Sequence, residues 1–148
     1  AELSADVVLV TLPLGVLKSG RVKFDPPFPM WKQDAVDRMG FGLLNKIVLA
    51  FDSRFWQAAT PEGKYIGYAS EVKGEFYMFI DISECVGRPT LLALVSGTVA
   101  RSLEPCPDEK VISEAMKVLR KIVSPSVAPD PSSYTITRWG EDPYAMGS

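Results

Sequence analysis

Apolar runs along the chain predict a sheet of about five strands. The runs are rich in β-branched and aromatic residues, and turn residues separate them. They lie at residues 45–52, 65–70, 76–82, 91–96 and 134–139. Short strands at these intervals are typical of antiparallel connections. The pattern therefore favours a mixed, mainly antiparallel sheet.

Two stretches with apolar residues at helical spacing predict helices that pack on this sheet. The first spans residues 30–39 and ends at Gly40, since glycine tolerates the left-handed conformation of a C-cap. The second begins after Pro107 with two acidic residues and carries an apolar stripe from Val111 to Ile122. Helices packed on such a sheet predict an α+β fold.

Residues 6–11 form a further apolar run, in which apolar and polar residues do not alternate. A continuous, β-branched run indicates a strand that is buried on both faces. Pro13 cannot donate to a β-ladder, so the strand is expected to end before it. Because a doubly buried strand needs a neighbour on each side, we expect this segment to belong to a larger fold.

The composition excludes several kinds of site. The chain has 148 residues, 16 basic and 18 acidic side chains, a formal net charge of -2 and no histidine. It therefore cannot supply a Ser-His-Asp triad or a histidine-ligated metal, and we predict no metal site. The near-balanced charge lacks the basic footprint of a nucleic-acid binder. With no signal peptide or long apolar span, we expect an intracellular protein that does not insert into membranes.

Two residues are candidates for a site. Lys46 interrupts an apolar strand, so its ammonium either reaches water beyond an apolar stem or lies desolvated beside a cofactor or an ordered water. Trp139 is either ordinary core or an aromatic wall for a planar ligand. Periodicity alone does not choose between these alternatives.

Seven segments in collinear order resemble the flavin-containing amine oxidases, and among them the lysine-specific histone demethylases. They cover nearly the whole chain, and one such segment alone would be a weak match. The segments are Ala5-Asp6-Val7-Val8-Leu9-Val10-Thr11-Leu12-Pro13-Leu14-Gly15-Val16-Leu17-Lys18, Phe24-Asp25-Pro26-Pro27-Phe28-Pro29, Trp31-Lys32, Arg38-Met39-Gly40-Phe41-Gly42-Leu43-Leu44-Asn45-Lys46, Phe55-Trp56, Leu91-Leu92-Ala93-Leu94-Val95-Ser96-Gly97, and Thr137-Arg138-Trp139 with Asp142-Pro143-Tyr144-Ala145-Met146-Gly147-Ser148.

The resemblance implies an enzyme that binds FAD and oxidises a C–N bond. Hydride passes from the carbon beside the amine nitrogen to flavin N5, water hydrolyses the imine, and oxygen reoxidises the flavin with release of peroxide. Lys46 matches the family lysine that holds a water against flavin N5, which implies the desolvated alternative. The implied cofactor-binding residues are Thr11, Leu12, Pro13, Trp139, Tyr144 and Ser148.

The resemblance also implies how the chain is divided. Residues 1–18 and 134–148 would be strips of an FAD-binding domain, and residues 19–133 most of a substrate-binding domain. The glycine-rich βαβ unit that grips the FAD pyrophosphate is not among the 148 residues, so the isolated chain is expected neither to hold FAD tightly nor to turn over.

The implied partners are the remaining FAD-binding domain and an amine such as a methylated lysine of a histone tail, and the implied location is the nucleus. Tyr144 stands where the demethylases often carry tryptophan. A polyamine oxidase therefore stays open as an alternative, and so does a non-catalytic peptide-binding module.

Overall fold

The computed structural model describes residues 2–60, 63–124 and 127–148. Its strands are β1 (Leu44–Ala50), β2 (Tyr65–Gly67), β3 (Met78–Asp81), β4 (Thr90–Ser96) and β5 (Ser133–Ile136). Its α-helices are α1 (Leu14–Lys18), α2 (Met30–Arg38), α3 (Ser83–Val86), α4 (Gly97–Leu103) and α5 (Asp108–Val123), and a 3₁₀ turn spans Phe55–Ala58. None of the helices in these residues is long and apolar enough to cross a membrane.

The five strands form one open sheet in the order β2-β3-β4-β1-β5. Every adjacent pair is antiparallel. Strands β2, β3 and β4 are a meander, whereas β1 lies between β4 and the last strand of the chain. The α+β fold with a five-stranded, antiparallel sheet is confirmed.

One face of the sheet carries the hydrophobic core. We call it the core face. On the three central strands, the buried residues of the core face are Asn45, Ile47, Leu49, Phe79, Leu91, Ala93 and Val95. Most of them form one cluster with the apolar stripe of α5, which includes Val111, Ala115 and Leu119. Helix α5 begins after Pro107, where Asp108 and Glu109 complement the positive end of the helix dipole, as the sequence predicts.

The predicted strand at residues 6–11 is wrong in this structure. Residues 7–11 are not in a strand, and the Val7 and Leu9 side chains are 85% and 86% exposed. The physical reason is that a strand buried on both faces needs a hydrogen-bonded neighbour on each side. No strand in the described ranges pairs with this segment.

Candidate functional site

The face of the sheet opposite the core contains a lysine in a row of apolar side chains. We call it the open face. Eight of its residues on the three central strands are half-buried: Leu44, Lys46, Val48, Met78, Ile80, Leu92, Leu94 and Ser96. At the other end of the same face, the paired residues Ala50 and Thr90 are buried. Because side chains alternate along a strand, these positions point away from the core face. The open face is therefore partly shielded from water without being closed.

Lys46 lies in the middle of this row. It is paired across the sheet with Leu94, and Leu94 is paired with Met78. Along β1 its neighbours on the same face are Leu44 and Val48. Within the part of the chain that the structure describes, Lys46 Nζ makes no hydrogen bond or ion pair. A half-buried lysine whose ammonium has no acceptor is suited to hold a water or a polar group that approaches the open face.

The backbone of Lys46 is hydrogen-bonded not to β5 itself but to Thr137, the residue that follows β5. Regular pairing with β5 runs from Ala50 to Ile47. At Lys46 the backbone N–H donates instead to Thr137 Oγ1 at 2.8 Å, while Thr137 N donates to the Lys46 carbonyl at 3.0 Å. The chain therefore leaves the sheet directly after it passes Lys46.

Residues 137–148, which we call the return loop, come back to the same edge. Leu44 N donates to Ser148 Oγ at 2.9 Å, and that hydroxyl donates to the Leu44 carbonyl at 3.0 Å. Ser148 N also donates to Gly42 O at 3.2 Å. The return loop thus leaves β1 at Lys46 and rejoins it at Leu44, two residues away on the open face.

A buried polar network joins the return loop to the core side of β1. Asn45 is 3% exposed, and its Oδ1 accepts from Trp139 N at 3.0 Å and from the Thr137 hydroxyl at 3.2 Å. Its Nδ2 donates to Glu104 Oε1 at 2.9 Å. The same carboxylate oxygen accepts from Gly140 N at 2.7 Å. Asn45 and Glu104 therefore hold the start of the return loop.

The N-terminal segment also meets the return loop. Pro13 caps α1, and the next turn brings Gly15 against the backbone of Ala145 and Met146, where an added Cβ would overlap their carbonyl oxygens. The return loop is also packed closely at Gly147, where an added Cβ would lie 2.5 Å from Phe41 Cε1. Close packing at two glycines fixes residues 145–147 between α1 and the start of β1.

The structure brings three of the seven sequence-predicted site residues together on or beside β1: Lys46, Trp139 and Ser148. Pro13 lies two residues before Gly15, which contacts the return loop at Ala145 and Met146. Thr11 and Leu12 are exposed and precede this contact. Tyr144 stands apart from the group, with 84% of its side chain exposed.

Of the two alternatives for Trp139, the structure shows the core packing, and the role as a wall for a planar ligand stays a prediction. The Trp139 ring packs against the hydrophobic core. Its Nε1 is buried, and no residue in the described ranges accepts its proton. Since buried donors are nearly always paired, this atom indicates an acceptor that the described residues do not supply.

Sequence reasoning missed Asn45, Thr137 and Glu104. Asn45 did carry a signal, because an amide at a core position of an apolar strand requires polar partners. Glu104 is separated from Asn45 by 59 residues and lies at the end of α4, a helix that the sequence analysis does not predict. Its role could not be found from spacing.

A second polar cluster lies further along β3, around Asp81. Trp56 Nε1 donates to Asp81 Oδ2 at 2.9 Å, and the Ser83 hydroxyl and backbone N–H both donate to Asp81 Oδ1. Burial tends to raise the pKa of Asp81, but the hydrogen bonds from Ser83 and Trp56 and the charge of Arg54 outweigh it and lower the pKa below its ordinary value. The cluster holds Trp56, which is fully buried, against the sheet.

Comparison with known proteins identifies the family. The model of the flavin containing amine oxidoreductase family matches residues 1–148. The chain belongs to this family. It is 43% identical over 97% of its length to a "possible lysine-specific histone demethylase 1" of Drosophila melanogaster, and 40% identical over 99% to "lysine-specific histone demethylase 1 homolog 3" of Arabidopsis thaliana. It spans 17% and 9% of the lengths of those two proteins.

Among solved structures, the fold of this amine oxidoreductase chain matches putrescine oxidase bound to putrescine. The TM-score is 0.73 with 22% identity, and the match covers 93% of this chain and 29% of that one. At this identity the likeness shows the fold alone. Membership of the family implies an oxidoreductase with a flavin cofactor.

The open face around Lys46 fits a flavin. The Lys46 ammonium is a donor without an acceptor in the described part of the chain, and a flavin ring carries several nitrogen and oxygen acceptors. The half-buried apolar side chains beside Lys46 suit the flat, apolar part of such a ring.

Proposed function

We propose that the chain is the substrate-facing part of an FAD-dependent amine oxidase of the lysine-specific histone demethylase type. The observation that carries this proposal is the position of Lys46, a cation without a partner in the described residues, in an apolar sheet face at the point where the return loop leaves and rejoins β1. Such an arrangement has no structural need for a lysine, since an apolar residue there would continue the row.

Residues of two terminal strips would hold the cofactor. We assign residues 1–18 and 134–148 to the FAD-binding domain and residues 19–133 to the substrate-binding domain. Thr11, Leu12 and Pro13 would lie along the FAD on one side, and Trp139, Tyr144 and Ser148 on the other. The contact of Gly15 with Ala145 and Met146 supports this, because it joins the two strips.

Bound FAD would supply the hydride acceptor for oxidation of the carbon beside the amine nitrogen. Lys46 would hold a water against the ring, and its positive charge would stabilise negative charge that develops there. The same charge would make a second ammonium nearby unfavourable, so it would favour the neutral form of a bound amine, whose lone pair the oxidation requires.

For the substrate we propose a methylated lysine of a histone tail, and for the location the nucleus. The supporting observation is that relatives about 40% identical over nearly the whole chain are named histone demethylases. The match to putrescine oxidase concerns the fold, so it does not favour a polyamine substrate. The remainder of the FAD-binding domain would come from the same polypeptide, and the isolated 148 residues would neither retain FAD nor oxidise amines.

The test uses the parent polypeptide that contains this chain, purified in three forms: wild type, Lys46→Met and Lys110→Met. Lys110 is an exposed lysine of α5 and serves as the matched control. We expect bound FAD in the wild type and peroxide release with a dimethyl-lysine histone peptide. Lys46→Met should lower the rate by about 100-fold, the usual effect of removing one preorganised electrostatic group.

Three results would contradict parts of this proposal. A wild-type parent without a bound-flavin absorbance band would overturn the enzyme assignment. Peroxide release with putrescine but not with the histone peptide would replace the demethylase by a polyamine oxidase. Equal activity of Lys46→Met and Lys110→Met would remove Lys46 from the reaction.

A further inference from the structure

We infer that Glu104 is a positioning residue for the proposed oxidation, acting through Asn45 and Gly140 on the two sides of the site. The inference rests on the proposed function and extends it to a residue on the core side of the sheet. Glu104 does not reach the open face itself, because it bonds Asn45, whose side chain lies on the core face.

Glu104 is an uncommon kind of buried carboxylate. It is 7% exposed, and no cation in residues 2–60, 63–124 and 127–148 forms an ion pair with it. Its Oε1 instead accepts two N–H groups, from Asn45 Nδ2 at 2.9 Å and from Gly140 N at 2.7 Å. Because one oxygen accepts both N–H groups, it couples the position of the Asn45 side chain to that of the Gly140 backbone.

A continuous set of hydrogen bonds connects Glu104 to Lys46. Asn45, held by Glu104, accepts from Trp139 N and from the Thr137 hydroxyl. Thr137 Oγ1 in turn accepts the backbone N–H of Lys46. A change in the carboxylate therefore affects the backbone of Lys46 on one side and the backbone of Trp139 on the other.

The return loop is also pressed directly against the carboxylate. A Cβ at Gly140 would overlap Glu104 Oε2, so a larger residue there would displace the carboxylate, the loop or both. The contact fixes how closely Gly140, and therefore the adjacent Trp139, approaches the sheet.

Attachment of the return loop to the fold does not depend on this carboxylate. Arg138 donates to the backbone carbonyls of Glu104 at 2.9 Å and Cys106 at 3.0 Å, and it pairs with Asp108 at 2.6 Å. Arg138 therefore anchors the loop through contacts that do not involve the side chain of Glu104. Loss of the carboxylate should shift Trp139 and Gly140 locally and leave the loop attached.

The experiment compares Glu104→Leu, Glu104→Gln and Gly140→Ala in the flavin-loaded parent polypeptide. Glu109→Leu, at an exposed position on α5, is the control. Three quantities are measured: amide hydrogen exchange of residues 137–148 without amine, the flavin absorbance spectrum, and the anaerobic rate of flavin reduction at saturating amine. Glutamine keeps an oxygen acceptor at the position of Oε1, leucine keeps only bulk, and Gly140→Ala keeps the carboxylate but displaces the loop.

We expect Glu104→Leu and Gly140→Ala to accelerate exchange of the Trp139 and Gly140 amides and to shift the flavin absorbance band. The limiting reduction rate should fall by about 10- to 100-fold, the usual effect of a small misplacement near a reacting centre. Glu104→Gln should stay within about threefold of wild type, because its amide oxygen restores both hydrogen bonds. The control should match wild type.

The inference is overturned if folded Glu104→Leu or Gly140→Ala has the exchange, spectrum and reduction rate of wild type. It is also overturned if glutamine is as damaging as leucine, or if both disruptive variants fail to fold, since the contact would then be a folding determinant. A wild-type parent that holds no flavin defeats the proposed function instead, and the exchange measurement still reports whether Glu104 fixes the loop.

Discussion

The two faces of the sheet are built from the same strands but meet different requirements. On the core face Ile47, Leu49 and Leu91 are 0% exposed and pack in one cluster. On the open face eight positions of the central strands are half-buried, and Lys46 lies among leucine, methionine, isoleucine and valine. The core face gains stability from complete burial. The open face keeps apolar surface available, which is what a site for an apolar cofactor and substrate needs.

The largest expected effect separates two adjacent leucines of β4. Leu91→Ala leaves a cavity in the fully buried core and should lower the free energy of unfolding by about 3 kcal/mol or more. Leu92→Ala removes the same atoms from the half-buried open face and should cost about 1 kcal/mol. Urea unfolding of the chain, followed by tryptophan fluorescence, measures both. Equal losses would mean that the two faces are equally buried.

A smaller effect concerns the polar end of the core face. Asp81→Asn removes the negative charge of the carboxylate that accepts hydrogen bonds from Trp56 and Ser83. It should lower the free energy of unfolding by about 1–2 kcal/mol at neutral pH. Asp52→Asn, at an exposed position after β1, is the control.

The pH dependence of this effect has a definite sign. The pKa of Asp81 is lower in the folded chain than in the unfolded chain, so the ionised carboxylate stabilises the fold. This contribution is complete above the unfolded pKa, about 4, and is lost as the pH falls through the lower folded pKa. The difference between wild type and Asp81→Asn in urea unfolding should therefore shrink below pH 4. A difference that grows with acidity would contradict the assigned shift.

The smallest expected effect on stability is that of Lys46→Met. Its ammonium makes no hydrogen bond or ion pair in the residues that the structure describes, and methionine preserves most of the apolar stem. The free energy of unfolding should change by less than about 0.5 kcal/mol. Combined with the expected loss of oxidation in the parent, this would separate the role of the open face from stability. A loss of about 2 kcal/mol would show instead that Lys46 is a structural residue.

The elements that could be predicted from the sequence are those whose signal is local. The five strands and helix α5 follow from periodicity and turn residues, and the bounds differ by a few positions. The strand predicted at residues 6–11 is absent from the structure. Its apolar pattern indicates a strand that needs neighbouring strands, and none of the described strands pairs with it. Helix α4 follows β4 directly and includes a β-branched pair, Thr98-Val99, so no pattern marked its start.

The site divides in the same way. Lys46 could be singled out because it breaks an apolar run, although its role stays a prediction, as do those of Thr11, Trp139 and the other proposed cofactor residues. Asn45 and Glu104 could not be paired from sequence, since their contact depends on where α4 ends relative to β1. Polar networks of this kind depend on tertiary structure, and no residue spacing encodes them.

The strand order has a consequence for biosynthesis. Ile47 pairs with Ala93 on one side and with Ile136 on the other, so β1 leaves the ribosome long before either neighbour. At about 5–20 residues per second, its second edge waits on the order of several seconds for β5. Throughout that interval the hydrogen-bonding edge of an apolar strand is unpaired, which exposes it to association with other nascent chains.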